Sequence, residues 1–478
     1  MVAHSQRQLK NYAEAIRLYG AIERDHPGTK EATEAGFRKL QCFHVVGDED
    51  LPLYVDRYVG TQSKVDPNTP YLDLALLLKA ERLFENKKFA EAAEAYGQVR
   101  PDKIDESYGP DRLYKMAWAL VDGGKLADGI QALGDFIGGY KDDPRIPSVL
   151  AKRASAHLKA ENLDAALADY QKLADDFPKD ENAEYALHQS ARIYHQKAQL
   201  KEMVGAYQKL LERFPETVIK GEANYWIGSG LFEVEEYEKS ILPLNVAREL
   251  YDKDKDRTSL RLILAHYHLR DIPTLLAETK AFRAVNKDLK IPIQVYAVLG
   301  RELYKQSDFR NAEEFLLLTA KPEMPLSTPV DIWDKLSKIY LDSGKNAEAI
   351  QHLDYFLAHQ HHPETEARAK LDKAGCQLKL KKTEEATAVG EEVLDLVRQG
   401  RLNAEARILL GDIAMAEGDA QRASELYVIV CQLVNDPVMT PRAMDRMIKA
   451  LEKLGRKEEA EQYRTELKDR FPNYQPAD

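Results

Sequence analysis

Residues 147–178 read PSVLAKRASAHLKAENLDAALADYQKLADDFP, and residues 184–215 read EYALHQSARIYHQKAQLKEMVGAYQKLLERFP. Shifted by 37 residues, Ala154 falls on Ala191, Leu163 on Leu200, Tyr170 on Tyr207 and Phe177-Pro178 on Phe214-Pro215. In the first copy, apolar and small residues recur at helical spacing (Leu150, Ala154, Leu158), Glu161-Asn162 interrupts them, and a second run from Leu163 ends at Phe177-Pro178. Each copy therefore reads as two helices joined by a short turn. Proline closes the second helix, because it lacks a backbone donor and pushes the residue before it out of helical geometry. Pro27, Pro178, Pro215 and Pro472 all occupy that closing position.

The same spacing runs through the whole chain. The second helix is marked at Phe89, Leu126, Leu163, Leu200 and Tyr237, then after one 35-residue step at Ile272, Phe309, Asn346, Thr383, Ala420 and Lys457. Upstream, Tyr12 and Glu49 are also 37 apart, and a three-residue insertion carries the frame on to Phe89. These markers number thirteen repeats, and no stretch alternates with period two. A fixed period of this length means a stacked array whose function lies on its surface. The expectation is an all-α chain: one continuous α-solenoid over residues 1–478, built of about thirteen 37-residue helix-turn-helix repeats, with an irregular repeat at about 255–291. Thr328-Pro329 and Thr440-Pro441 are expected to open first helices, with a capping hydroxyl before a proline.

Two columns of small residues fit close helix crossings. Nine residues before the marker stand Ala3, Ala80, Ala117, Ala154, Ala191, Gly228, Gly300, Ser337, Ala374 and Gly411, and three after it stand Ala15, Ala92, Ala166 and their equivalents. Only a small side chain fits where two backbones approach closely. Tyr19, Tyr96, Tyr170, Tyr207 and Tyr427, seven after the marker, read as knobs packed against the next repeat.

A large apolar residue (Leu113, Leu150, Leu187, Trp333), a small one four later, a large one three beyond (Leu120, Tyr194, Leu231, Tyr340), glycine before the turn (Gly124, Gly344, Gly418), then aromatic, Ala, Tyr and Pro: this order resembles the tetratricopeptide repeat. The three extra residues per repeat fall after the closing proline. The resulting spacing, as from Phe177-Pro178 to Ala186, is similar to repeats of bacterial cell-envelope proteins such as outer-membrane assembly lipoproteins and the periplasmic repeat protein coordinated with Tol-Pal. The resemblance implies a right-handed superhelix, a non-enzymatic scaffold binding a peptide or helical partner, and an envelope or periplasmic setting. An alternative on the same resemblance is a structural spacer of an envelope assembly, contacting partners by loops such as Asp66 to Pro70 and Lys321 to Pro329.

Composition narrows the classes. With 68 basic against 79 acidic residues the net charge is −11, which disfavours a duplex-binding surface, since nucleic-acid affinity comes chiefly from neutralising phosphates. Cys42, Cys376 and Cys431 are far apart and form no CxxC, so neither a disulfide framework nor a zinc site is indicated. No apolar run approaches a membrane span. The first repeat's small residue is Ala3, so its helix is expected to begin before Met1, in a preceding segment with room for an anchor. HExxH, GxSxG and GxxxxGK[ST] are all missing, and no catalytic residue or cofactor is expected. His352, His359, His361 and His362 form the densest chemical cluster, read as a surface loop rather than a metal site.

The resemblance places the first helix of each repeat on the concave side. Carried over position by position, the partner-binding candidates are Tyr114 and Trp118, then Tyr185, His188, Arg192 and His195, then Tyr225 and Phe232, and finally Tyr267, Arg301 and Tyr304. The middle of the array is thus rich in Tyr, Trp and Arg, which combine large contact area with a polar handle.

Overall fold

The structure is a computed structural model and describes residues 1–286 and 290–475; residues 287–289 of the irregular repeat and the last three residues lie outside the described residues. Among the described residues there are 26 α-helices, a few short 3-10 turns and no strand. The helices run as thirteen consecutive pairs, and successive helices pack on one another from Val2–Gln8 to Tyr237–Leu250 and again from Ile272–Val285 to Lys457–Arg470. The chain forms two compact units, Met1–Ala265 and His266–Asp478, and the division falls inside the first helix of the eighth repeat, Lys255–Leu269.

Twelve second helices begin on the marker residue read from the sequence, from Tyr12–Asp25 to Lys457–Arg470. The second repeat is the exception, and Pro52 explains it. A helix starting at Glu49 would put Pro52 fourth, where a backbone N–H must make the first intrahelical bond. The helix instead starts at Leu51, with Pro52 in its first turn and the Asp48 carboxylate accepting the Asp50 N–H at 2.9 Å. The closing prolines behave as expected: helices Leu163–Asp176 and Leu200–Arg213 stop two residues short of Pro178 and Pro215.

Both expected capping threonines do other work. Helix Val330–Asp342 starts after Pro329 with no side-chain cap, and the Thr328 hydroxyl accepts the Lys321 N–H at 2.9 Å. Helix Met439–Lys453 has already begun before Thr440, whose hydroxyl donates to the Val434 carbonyl at 2.6 Å.

The turn between paired helices is uniform. The residue two before each marker lies in the left-handed region, whether glycine (Gly47, Gly124, Gly344, Gly418, Gly455) or not (Lys10, Lys87, Glu161, Ala198, Glu235, Arg270, Ser307, Lys381).

The small columns mark the crossing within a repeat. A Cβ on Gly228 would lie 2.6 Å from Leu244, one on Gly300 2.7 Å from Leu316, and one on Gly411 would run into Tyr427. Each of these partners stands seven after the marker. The tyrosines of that column are therefore seated over the small residue of their own hairpin, in place of the expected contact with the next repeat alone. Tyr170 does both, since its ring also meets Tyr185 at 6.0 Å edge-on. Tyr96, Tyr170, Tyr207 and Tyr427 are fully buried, and the three cysteines are free and buried.

Candidate functional site

In the first compact unit, the first helices of repeats five, six and seven (Ile146–Lys159, Asn182–Gln196 and Lys220–Glu233) line one groove of about 620 Å³. His188, Arg192 and His195 stand on one face of the middle helix, because spacings of four and three residues bring side chains into register. Leu158 supplies one wall, Glu222 and Trp226 the other, and Tyr207 reaches in from the second helix of repeat six.

The charges in this groove are unevenly satisfied. Burial pushes the His188 imidazole below its usual value, outweighing the Glu222 carboxylate 3.9 Å away, and its Nε2 has no hydrogen-bond partner. The His188 ring lies against Tyr207, 6.0 Å between centroids. Arg192 is exposed, and among the described residues no carboxylate pairs with it. Trp226 is half-buried and meets the exposed His195 ring at 4.4 Å.

Position 226 sets this junction apart from four others in the array. Eleven residues before the marker, four other repeats carry a cation that reaches back to the preceding first helix. Lys115 pairs with Glu81 at 3.0 Å, Lys152 with Asp122 at 2.6 Å, Arg261 with Glu233 at 3.7 Å and Arg446 with Asp412 at 3.1 Å. In the seventh repeat that residue is Trp226, so no ion pair from it seals helix Asn182–Gln196 against helix Lys220–Glu233. Trp226 escaped the position-by-position reading, and its column gives no signal for it, since the same position holds Leu78, Gln189, Val298, Asp372 and Leu409 in other repeats.

The other candidates are dispersed. Tyr185 is 47% exposed beside Tyr170 and does not line the groove. Tyr114 and Trp118 meet at 4.8 Å and are covered from within the chain, Arg145 lying 4.8 Å over Tyr114 and Lys152 4.7 Å over Trp118. Tyr225 is corrected outright: at 5% exposure it sits in the core against Trp226 and Tyr251, its hydroxyl taking a hydrogen bond from Arg261 at 3.3 Å. Phe232 packs edge-on against Tyr237.

In the second compact unit, Tyr267 and Arg301 line a separate cavity of about 450 Å³ with Gln294, while Tyr304 packs edge-on against Phe309 at 5.4 Å. Arg301 is held by two 2.7 Å hydrogen bonds to the Asp331 carboxylate.

Three of the four clustered histidines are spent on structure. His352 contacts the Glu348 carbonyl at 2.8 Å, His359 the Pro325 carbonyl at 3.1 Å, and His361 stacks on Phe356 at 4.1 Å. Among the described residues no group of three or more His, Cys, Asp or Glu is placed to hold a metal ion, and no helix is long and apolar enough to cross a membrane.

Tetratricopeptide repeat family models match residues 114–181, 185–217 and 335–397, three stretches that fall in frame with the helix pairs described above. The matched stretches are tetratricopeptide repeats. A comparison with curated protein sequences finds no match. Among solved structures the chain is similar to MamA, at 21% identity over 39% of this chain and 96% of that one, with a TM-score of 0.33. It is also similar to a tetratricopeptide repeat protein from Parabacteroides merdae, at 14% identity over 71% and 98% of the two chains, TM-score 0.27. YrrB, described as a tetratricopeptide repeat protein with an unusual peptide-binding site, is 19% identical over 40% and 91%, TM-score 0.30. Tetratricopeptide repeat proteins generally mediate protein–protein interactions, and the fold is typically a non-catalytic interaction scaffold.

Proposed function

We propose that this chain is a non-enzymatic adaptor that holds a partner segment, as an extended peptide or a helix, in the groove along repeats five to seven. One observation carries the reading: His188, Arg192, His195 and Trp226 converge on one groove of about 620 Å³ whose arginine has no partner of its own among the described residues. A groove of that size suits one or two anchoring side chains, and aromatic and arginine groups that need not first break other contacts give the most to an interface. Trp118 lies outside this groove, so the test rests on Arg192 and His195, both exposed.

A random peptide library is selected against the intact chain, and the enriched peptides are measured against Arg192→Glu, His195→Ala and a second-helix control, Lys201→Glu. The reading expects the first two to weaken binding about tenfold each while thermal unfolding stays put, and the control to bind as before. Peptides that bind all three variants equally would place recognition elsewhere.

A second reading has one specific observation behind it. In the connector between repeats nine and ten, Met324 is 58% and Leu326 70% exposed, as a spacer in a cell-envelope assembly would need if it touched its neighbours through loops. Crosslinkers placed at Leu326 and at Arg192 separate the two readings by which of them captures a partner.

A further inference from the structure

We propose that the cavity of about 450 Å³ in the second compact unit is a second recognition site, specific for an acidic segment that carries an apolar residue beside its carboxylate. Among the described residues the cavity is lined by three cations, Arg270, Arg301 and Lys321, and by no acidic side chain, in a chain that carries 79 acidic residues against 68 basic ones. Of the three, only Arg301 is neutralised, by Asp331.

Arg270 and Lys321 are both exposed and have no carboxylate partner among the described residues. The described acids nearest in sequence are committed or turned elsewhere. Asp271 faces the His266 ring at 3.2 Å and caps the Thr274 N–H, Asp331 is shared between Arg301 and Lys335, and Glu323 does not line the cavity.

Both free cations are also positioned. The Arg270 guanidinium lies 5.4 Å over the Tyr267 ring, on a residue whose backbone is fixed in the left-handed turn at φ 58°. The Lys321 N–H is tied to the Thr328 hydroxyl, which anchors the connector that bears it. Two unneutralised cations in one concave site concentrate field lines and favour an anion. The rest of the lining is apolar, with Ile293, Val298 and Pro329 beside Tyr267, so a bare anion would leave most of the volume unused. An acidic side chain next to an apolar one uses both parts. The site shares no residue with the groove of repeats five to seven, so it stands or falls separately from the adaptor reading of that groove.

The test is fluorescence anisotropy on the full chain with three labelled short peptides: alternating Glu and Leu, the same with Gln for Glu, and the same with Lys for Glu. The Glu peptide is expected to bind about tenfold or more tighter than the Gln peptide, to weaken as salt rises, and to lose about tenfold in Arg270→Glu and in Lys321→Glu. Arg310→Glu, an exposed cation on a second helix, should leave it unchanged, and Arg192→Glu is measured beside it, with thermal unfolding confirming that each variant is folded. Equal binding of the Gln peptide, or an equal loss in Arg310→Glu, would show only general charge attraction and overturn the proposal. A loss in Arg192→Glu alone would assign the peptide to the other groove and overturn it as well. Complete displacement by inorganic phosphate at the peptide's own concentration would reduce the site to a simple anion hole and overturn the specificity for an acidic and apolar pair.

Discussion

The first helices of repeats nine to twelve and those of repeats five to seven use the same scaffold in opposite ways. In the former, charges are spent within the array. Arg301 and Lys335 share Asp331, Lys338 pairs with Asp334 at 2.8 Å, and Arg368 with Glu405 at 2.6 Å. In the latter, Trp226 stands where four other repeats carry a cation paired to the preceding first helix, and Arg192 has no carboxylate partner among the described residues. A partner docking on the paired surface must first desolvate or separate ion pairs, which offsets what it gains. A partner docking beside Arg192 and Trp226 faces no such cost. Recognition on this fold is thus expected where the pairing between neighbouring repeats stops.

The largest effect is expected from placing at position 226 the pairing cation that four other repeats carry. Trp226→Lys removes the aromatic wall and places a cation four residues after Glu222, and we expect peptide binding in the groove to fall by about 2 kcal/mol, roughly thirtyfold. Unchanged affinity by anisotropy would mean that Trp226 only packs and that the contrast between the two regions has no bearing on binding. Next comes stability. Arg301→Ala strands a half-buried Asp331 with only Lys335 and should cost about 1 kcal/mol in denaturant unfolding, whereas Arg192→Ala should stay within about 0.5 kcal/mol. Equal losses would show that Arg192 does have a structural partner.

The two regions should also respond to acid with opposite sign. Burial, opposed by Arg368 and Lys338 and reinforced by Glu405 and Asp334, pushes the Asp372 carboxyl up to about 6. The folded chain then holds this proton more tightly than the unfolded one, so stability at Asp372 is lost as pH rises from about 4 to 6 and regained as it falls. Asp372→Asn should therefore stabilise the protein at pH 7.5, and by only about 1 kcal/mol because a third of the side chain stays exposed and screened, with the gain vanishing near pH 4. His188 runs the other way. Its value is lowered by burial, so folding excludes the proton and stability is lost as pH falls below the ordinary histidine value of 6.5. His188→Gln should flatten that acid-side loss in a thermal unfolding series, and a variant as acid-sensitive as the parent would mean the ring is already hydrated.

Periodicity carried most of the fold, because a hairpin crossing demands a small residue at one fixed place whatever surrounds it. That is why Ala154, Gly228 and Gly411 could be read directly. The second repeat slipped by two residues because Pro52 obeys a local rule that a global frame does not contain. The site was legible only in part. His188, Arg192 and His195 share a helix face, so their convergence follows from spacing alone. The covering of Trp118 by Lys152 does not, since it joins side chains 34 positions apart on different helices. Tyr225 and Trp226 show the limit most closely. One helical step decides which of two adjacent aromatics is buried, and the repeat frame chose the wrong neighbour.

The turns give the smallest and most local test, and one that the two regions share. All thirteen repeats place the residue two before the marker in the left-handed region, yet eight of them use a side chain that disfavours it. Packing of the two helices imposes the turn, so the sequence pattern at that position is free to vary. Ala198, at φ 55°, closes the hairpin that carries Arg192, while Gly344 and Gly418 do the same job in the paired region without a Cβ. Ala198→Gly relieves the left-handed strain but widens the unfolded ensemble, leaving a net gain of a few tenths to about 1 kcal/mol. The gain should show as slower amide exchange confined to helices Asn182–Gln196 and Leu200–Arg213 and their immediate neighbours, because stability in a repeat array is passed on only through adjacent contacts. A loss of protection would show instead that Ala198 is held by contacts its methyl group makes. A gain spread evenly along the chain would mean that the repeats unfold as one, and that an open groove in repeats five to seven cannot be tuned apart from the paired ladder.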